Sequence, residues 1–109
     1  MAETFKNVAI ALGDTADAAA YTCPASTTAI VIHCQVANVD GTNTANVNID
    51  LYDSSTTTAA ALAHTISVPA DTALNPVGGK LVLEASDEVR AWASATGDLE
   101  LTLGILEIT

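Results

Sequence analysis

The chain has 109 residues, half of them hydrophobic but only 4% aromatic, and its 13 acidic against 3 basic residues give a net charge of −10. Phosphate backbones are held by clustered Lys and Arg, and Lys6, Lys80 and Arg90 are too few and too scattered to form such a patch. Nucleic-acid binding is excluded on that ground, and an anionic membrane surface is a poor partner for the same reason.

The length suits one domain spanning residues 1–109. With so few aromatics, the core must come from Ala, Val, Leu and Ile, and each small residue buries little area. Association with other chains then adds burial that the monomer lacks. The acidity keeps the chain soluble and suits a basic partner. No signal-peptide pattern opens the sequence: Glu3 falls early, and the apolar run over residues 8–12 is short. No stretch approaches the length of a membrane span. The chain is expected to be made in a cytosol, with Cys23 and Cys34 reduced.

Residues 1–12 hold the single Phe, Phe5, with Val8, Ile10 and Leu12 alternating behind it. This segment reads as an edge strand or as an arm that docks on a neighbour, because no partner strand follows it closely. Gly13-Asp14-Thr15-Ala16-Asp17 is turn chemistry, and a short strand over 18–23 stops at Pro24, which has no N–H for a ladder. The longest apolar strand covers 28–39, and residues 38–44 contain an Asp-Gly connection. Residues 45–53 alternate, with Val47, Ile49 and Leu51 inward. After a polar loop, Ala59 to Ala63 read as one helical turn on alanine's propensity, followed by a strand to Val68.

The most regular stretch is 80–109. Val89, Ala91, Ala93 and Ala95 share one face, opposite Glu88, Arg90, Trp92 and Ser94. Beyond Thr96-Gly97-Asp98, Leu99, Leu101, Leu103 and Ile105 alternate with Glu100 and Thr102. This predicts two half-buried strands joined in a hairpin. Leu106 and Ile108 fall out of phase, so Gly104 is expected to mark a β-bulge in the last strand. With turn signals about every ten residues and about eight short strands, the reading is all-β: a single sandwich of jelly-roll or immunoglobulin-like type.

Convergent chemistry is not visible. His33 and His64 sit inside strand patterns and suit buried or interface positions. Cys23 and Cys34 make no zinc spacing with them, and the acidic turns at Asp14, Asp17, Asp87 and Glu88 lack the spacing of a calcium loop. Gly78-Gly79-Lys80 lacks the rest of a phosphate loop. The chain reads as a non-enzyme with no cofactor and no metal. Its candidate functional residues are interface residues: Phe5, Val8 and Ile10 on the opening segment, and Trp92 on the polar face of its strand. The smooth alanine face over 89–95 is a further candidate for close approach of another surface.

Several elements together resemble a family: Tyr21-Thr22 with Pro24-Ala25, the run Ala37-Asn38-Val39-Asp40-Gly41, VNIDLYD over 47–53, Ile66-Ser67-Val68-Pro69-Ala70, and the closing LEASDEVRAWASATGDLELTLGILEI. In this order they resemble the small β-sandwich structural proteins of tailed bacteriophages, found as head cement or decoration proteins and as tail or fibre modules. The closing motif usually carries Gly before its Asp, where this chain has Ser86. The resemblance implies no active site and a homo-oligomer, a trimer, that binds major capsid or other virion proteins. It implies a place in the virion after synthesis in the host cytoplasm. The alternative is a tail or fibre module that binds a host receptor or carbohydrate, for which exposed aromatics are few.

Overall fold

Nine strands and no helix make up the regular structure among residues 2–109, which the computed structural model describes. They are β1 (Glu3–Ala11), β2 (Ala19–Thr22), β3 (Thr28–Asn38), β4 (Ala45–Asp53), β5 (Thr58–Val68), β6 (Ala73–Leu74), β7 (Leu81–Leu83), β8 (Glu88–Ala93) and β9 (Leu99–Ile108). Sheet A has the order β1-β9-β3, with β6 and β7 both paired to the far side of β3. Sheet B has the order β2-β8-β4-β5, and every pairing is antiparallel. Counting β6 and β7 as one interrupted strand gives eight.

Of all hydrogen-bonded neighbours, only β4 and β5 are consecutive in the chain. Nearly every other connection crosses from one sheet to the other. This interleaving is the jelly roll, not the immunoglobulin arrangement.

The two inner faces differ in bulk. Sheet A contributes Leu99, Leu101, Leu103 and Ile105 from β9, with Val31, Val36 and Leu83 beside them, all buried. Sheet B answers with Ala45, Ala63, Ala91 and Ala93 among Val47, Ile49, Val68 and Val89. Small residues opposite large ones let the sheets interdigitate without voids.

Four expectations are corrected. β8 and β9 do not form a hairpin: they belong to opposite sheets, and residues 94–98 carry the chain across the sandwich. An apolar face that stacks on another sheet has the same alternation as one that pairs within a sheet, so periodicity alone cannot separate the two. The alanine face of β8 is interior and offers nothing to another chain, because Val89, Ala91 and Ala93 are buried. Ala59 to Ala63 are strand, paired with β4 from Tyr52↔Ala59 to Ile49↔Ala63. A neighbouring strand's hydrogen bonds override alanine's weak helical preference.

The bulge near Gly104 lies in β3, not β9. The register runs Val31↔Ile105 and then His33↔Gly104, so Ile32 is the extra residue. Gly104 suits the close approach there: an added Cβ would stand 3.2 Å from the Cβ of His33, which would have to give by a few tenths of an ångström. β9 keeps its phase throughout, and Leu106 and Ile108 therefore face outward.

The turn between β7 and β8 is held by Asp87, whose carboxylate accepts hydrogen bonds from the Glu84 N–H at 2.9 Å and the Ser54 N–H at 3.0 Å. Ser86, just before it, has φ 72°. A left-handed backbone costs a side-chain residue about 1–2 kcal/mol, and glycine is free of that strain. Ser86→Gly is therefore expected to stabilise the protein by about 0.5–1.5 kcal/mol, after the roughly 0.5 kcal/mol glycine loses through the unfolded chain. Urea unfolding checks this, and a destabilised variant would contradict it.

Candidate functional site

Side chains alternate across a strand, so the outward residues of sheet A follow from its register. Phe5 pairs with Leu106, Leu106 with Ile30, and Ile30 with Val82. The four lie in one row running across β1, β9, β3 and β7. Phe5 is 74% exposed and Val82 57%, while Leu106 and Ile30 are half-buried between them. Ile32, pushed out by the bulge, is 44% exposed beside the row, and Ile108 flanks it on the other side.

The outward positions of this sheet carry few charges. Glu3 and Glu100 stand near opposite ends, Lys80 and Glu84 flank β7 at the edge, and Asn7, Thr102, Gln35 and His33 supply the polar groups between. On a chain of net charge −10 this is an unusual surface. The outward face of sheet B is polar instead. There Asp50 pairs with Arg90, Tyr52 with Glu88, and Asn48 with Trp92. The Arg90 guanidinium lies over the Tyr52 ring, 3.7 Å from its centroid, and its Nε donates to Glu88 Oε1 at 2.9 Å.

The four residues singled out in the sequence do not share a surface. Phe5 belongs to the apolar row. Val8 faces the sandwich interior and packs against the core. Ile10 shares that side of β1 at the sheet edge, where it is 38% exposed. Trp92 is half-buried on the outer face of sheet B. β1 itself is an edge strand, and its partner is the last strand of the chain, matched from Glu3↔Ile108 to Ala11↔Glu100. Ile30, Val82 and Leu106 escaped sequence reading. Their signal was the presence of apolar residues on both sides of a strand, and for Leu106 that signal was taken for a phase slip.

Among the described residues two charged groups are buried: Asp87 in the turn before β8, and Glu107 between the sheets. Glu107 faces inward and is only 6% exposed. The Tyr21 hydroxyl, from sheet B, donates to Glu107 Oε2 at 2.5 Å, and Lys6 Nζ stands 3.0 Å from Oε1. These two contacts hold the Glu107 carboxyl below its usual range, the tyrosine bond first and the lysine second. Burial, and then the bond to Glu107, push the Tyr21 hydroxyl well above its usual value. The cluster ties β2 to β9 and β1.

Cys23 and Cys34 are both free and buried. Burial pushes the Cys34 thiol up to about 11 and raises Cys23 as well, so both stay protonated and unreactive at neutral pH. Among the described residues, no three His, Cys, Asp or Glu side chains gather as metal ligands. An open groove of about 730 Å3 runs past Ser26, Ser55, Glu84 and Thr109 at one end of the sandwich.

No known protein family matches the chain, and no curated protein does. In fold it is similar to a solved structure from Bacillus endospore appendages, described as a novel family of disulfide-linked pili. The identity is 19%, with a TM-score of 0.59 over 99% of this chain and 87% of that one. It is similar to a protein in the acid-stable capsid of Helicobacter pylori bacteriophage KHP30. There the identity is 11%, with a TM-score of 0.59 over 100% of this chain and 89% of the other. At these identities the likeness establishes the fold.

Loss of the Tyr21 hydroxyl leaves Glu107 buried with Lys6 alone. Tyr21→Phe is expected to cost about 1.5–3 kcal/mol at neutral pH, as for a hydrogen bond to a charged group. Because Glu107 has a lowered folded pKa, its contribution is complete above its unfolded pKa of about 4.3 and fades as pH falls through the folded value. The variant should therefore lose less stability than wild type on acidification across that window. Urea melts at stepped pH measure this, and equal acid sensitivity in the two proteins would show the contact contributes nothing.

Proposed function

We propose that the chain is a non-catalytic virion structural protein: a cement or decoration subunit that binds major capsid or other virion proteins and bridges neighbouring shell subunits. The carrying observation is the division of its surface. One broad face, the outside of sheet A, is apolar and almost uncharged, while the remainder is strongly acidic. Such a division suits a subunit that associates through one side and meets a basic surface with the rest.

The interior of the jelly roll is filled with side chains and contains no gathered set of catalytic or metal-binding groups among the described residues. Two solved structures of similar fold come from a capsid and from pili, both of them repeating assemblies. The acidity favours the outside of a shell over contact with packaged DNA, which would repel it. The place proposed for it is thus the virion exterior, after synthesis in the host cytoplasm.

A fibre module that stacks on carbohydrate would need open aromatic rings. One face of the Tyr52 ring is occupied by Arg90 and Trp92 is half-buried, so Phe5 is the one widely open ring among the described residues, and a single ring on an apolar row suits the shell reading better than a sugar platform.

Co-sedimentation with intact capsid particles tests the proposal. The protein is expected to pellet with them at low ionic strength. Its affinity should fall about tenfold or more by ~0.5 M salt, as for a contact between opposite charges. No association with capsids at any ionic strength would overturn the shell reading, and binding indifferent to salt would overturn its electrostatic half.

A further inference from the structure

We propose that the free edge of β1 pairs antiparallel with the same edge of a second copy of this chain, so that sheet A runs on through both. The inference goes beyond the shell reading and does not rest on it.

The sandwich has four edges, and three are blunted. β2 has four residues, a register shift between Ala19 and Tyr21, and Pro24 just beyond it. β5 is bent by two register shifts against β4 and by Thr65 at φ 52°. The far side of sheet A is interrupted, with two residues in β6 and three in β7. Short, bulged or broken edges resist the addition of another strand. β1 is different. Its nine residues match β9 without a shift from Glu3↔Ile108 to Ala11↔Glu100, with no proline and no left-handed residue. The edge that can accept a strand, and the strand of this chain that is free to be added, are therefore both β1.

β1 also overhangs. Tyr21 of β2, the edge strand of sheet B, reaches Glu107 of β9, so sheet B ends near β9 and β1 extends past it. The inward side of β1 still carries Val8, half-buried, and Ile10, 38% exposed. Phe5 on its outward side is 74% exposed. A second β1 laid along the edge covers all three, although they lie on two faces.

The hydrogen-bond phase sets the register. Ala2 and Thr109 exchange both backbone hydrogen bonds, and the Leu12 N–H donates to the Leu99 carbonyl. Antiparallel ladders alternate, so the even-numbered residues of β1 bond to β9. The N–H and C=O groups of Glu3, Phe5, Asn7, Ala9 and Ala11 therefore point out from the edge. A two-fold axis at Asn7 pairs all five: Glu3 with the partner's Ala11, Phe5 with the partner's Ala9, and Asn7 with its counterpart. Phe5 then lies beside a small residue, and no charge stands directly opposite a like charge. The nearest acidic pair, Glu3 and the partner's Glu100, is two strands and about 10 Å apart, roughly a Debye length. Sliding by two residues one way sets Lys6 on the partner's Lys6, and sliding the other way leaves Glu3 unpaired. A contact that is its own complement closes in twos, so a pair is expected where the family resemblance implies a trimer. Both outer faces of sheet A then lie on the same side of the pair.

Amide hydrogen exchange of the full chain, read by NMR at ~20 μM and ~1 mM, is the test. An edge contact is smaller than a standard interface, so it assembles in that range. In dilute protein the even-numbered amides of β1 are held by β9 and the odd-numbered ones exchange as open amides. At ~1 mM, Phe5, Asn7, Ala9 and Ala11 should slow about threefold or more. Sedimentation equilibrium should show a dimer at the same concentration. Ala9→Pro removes an N–H that β9 does not use and sets a ring on the free edge. It should keep the wild-type circular dichroism and weaken the pair about tenfold or more. If it unfolds instead, the wild-type amides decide. Asn7→Cys should form a disulfide-linked pair on mild oxidation, because the counterparts meet on the axis. Thr58→Cys, exposed on the blunted β5, should not. A monomer at ~1 mM, a species larger than a dimer, odd-numbered amides that ignore concentration, or a dimer untouched by Ala9→Pro would each overturn the inference.

Discussion

The structure depends on the packing of a bulky face against a small one. β9 lines the interior with Leu99, Leu101, Leu103 and Ile105, and sheet B receives them on Ala45, Ala63, Ala91 and Ala93. The alanine-rich composition is thus a geometric device. Small side chains on one sheet bring the backbones close enough for large ones on the other to fill the space. Each leucine so buried contributes about 1.5–3 kcal/mol relative to exposure. A core with almost no aromatics gets its burial from many such contacts.

The jelly-roll connections make that packing cooperative. β9 sits between β1 and β3, and the ends of the chain are bonded to each other through Ala2 and Thr109. Only β4 and β5 can pair early as neighbours in sequence; the other pairings need most of the chain present. Such non-local contacts delay folding, because loop closure is paid before burial rewards it. The tie from Tyr21 to Glu107 acts at the same level, joining the two sheets where β2 passes β9.

Strand positions were legible because period-two alternation follows directly from half-burial. It is visible over 45–53 and 88–105, where the buried residues are the ones the pattern selects. What alternation cannot convey is which other surface an apolar face meets. The alanines of β8 looked free because the sheet that covers them is built from distant segments. β1 looked partnerless because its partner is the last strand. The bulge was sensed from Gly104 but placed on the wrong strand, since a mismatch between two strands leaves the same trace in either sequence. The missed apolar row has the same origin. Leu106 was assumed to point inward because it is apolar, although a strand apolar on both faces is what a sheet covered on both sides requires.

That last point joins the fold to the proposed role. A sheet whose two faces are both apolar is covered from inside by its own sandwich and leaves its outer face open to association. Hydrophobic residues scattered singly over a surface are ordinary, but a row spanning four strands of a sheet is not. Its position matters too. The row lies on the sheet that contains both chain ends and the interrupted strand, where β3 bulges to expose Ile32 beside it. The irregularity that Gly104 accommodates is thus also what widens the apolar face, so the local defect in the ladder and the surface available for association are a single feature of the chain.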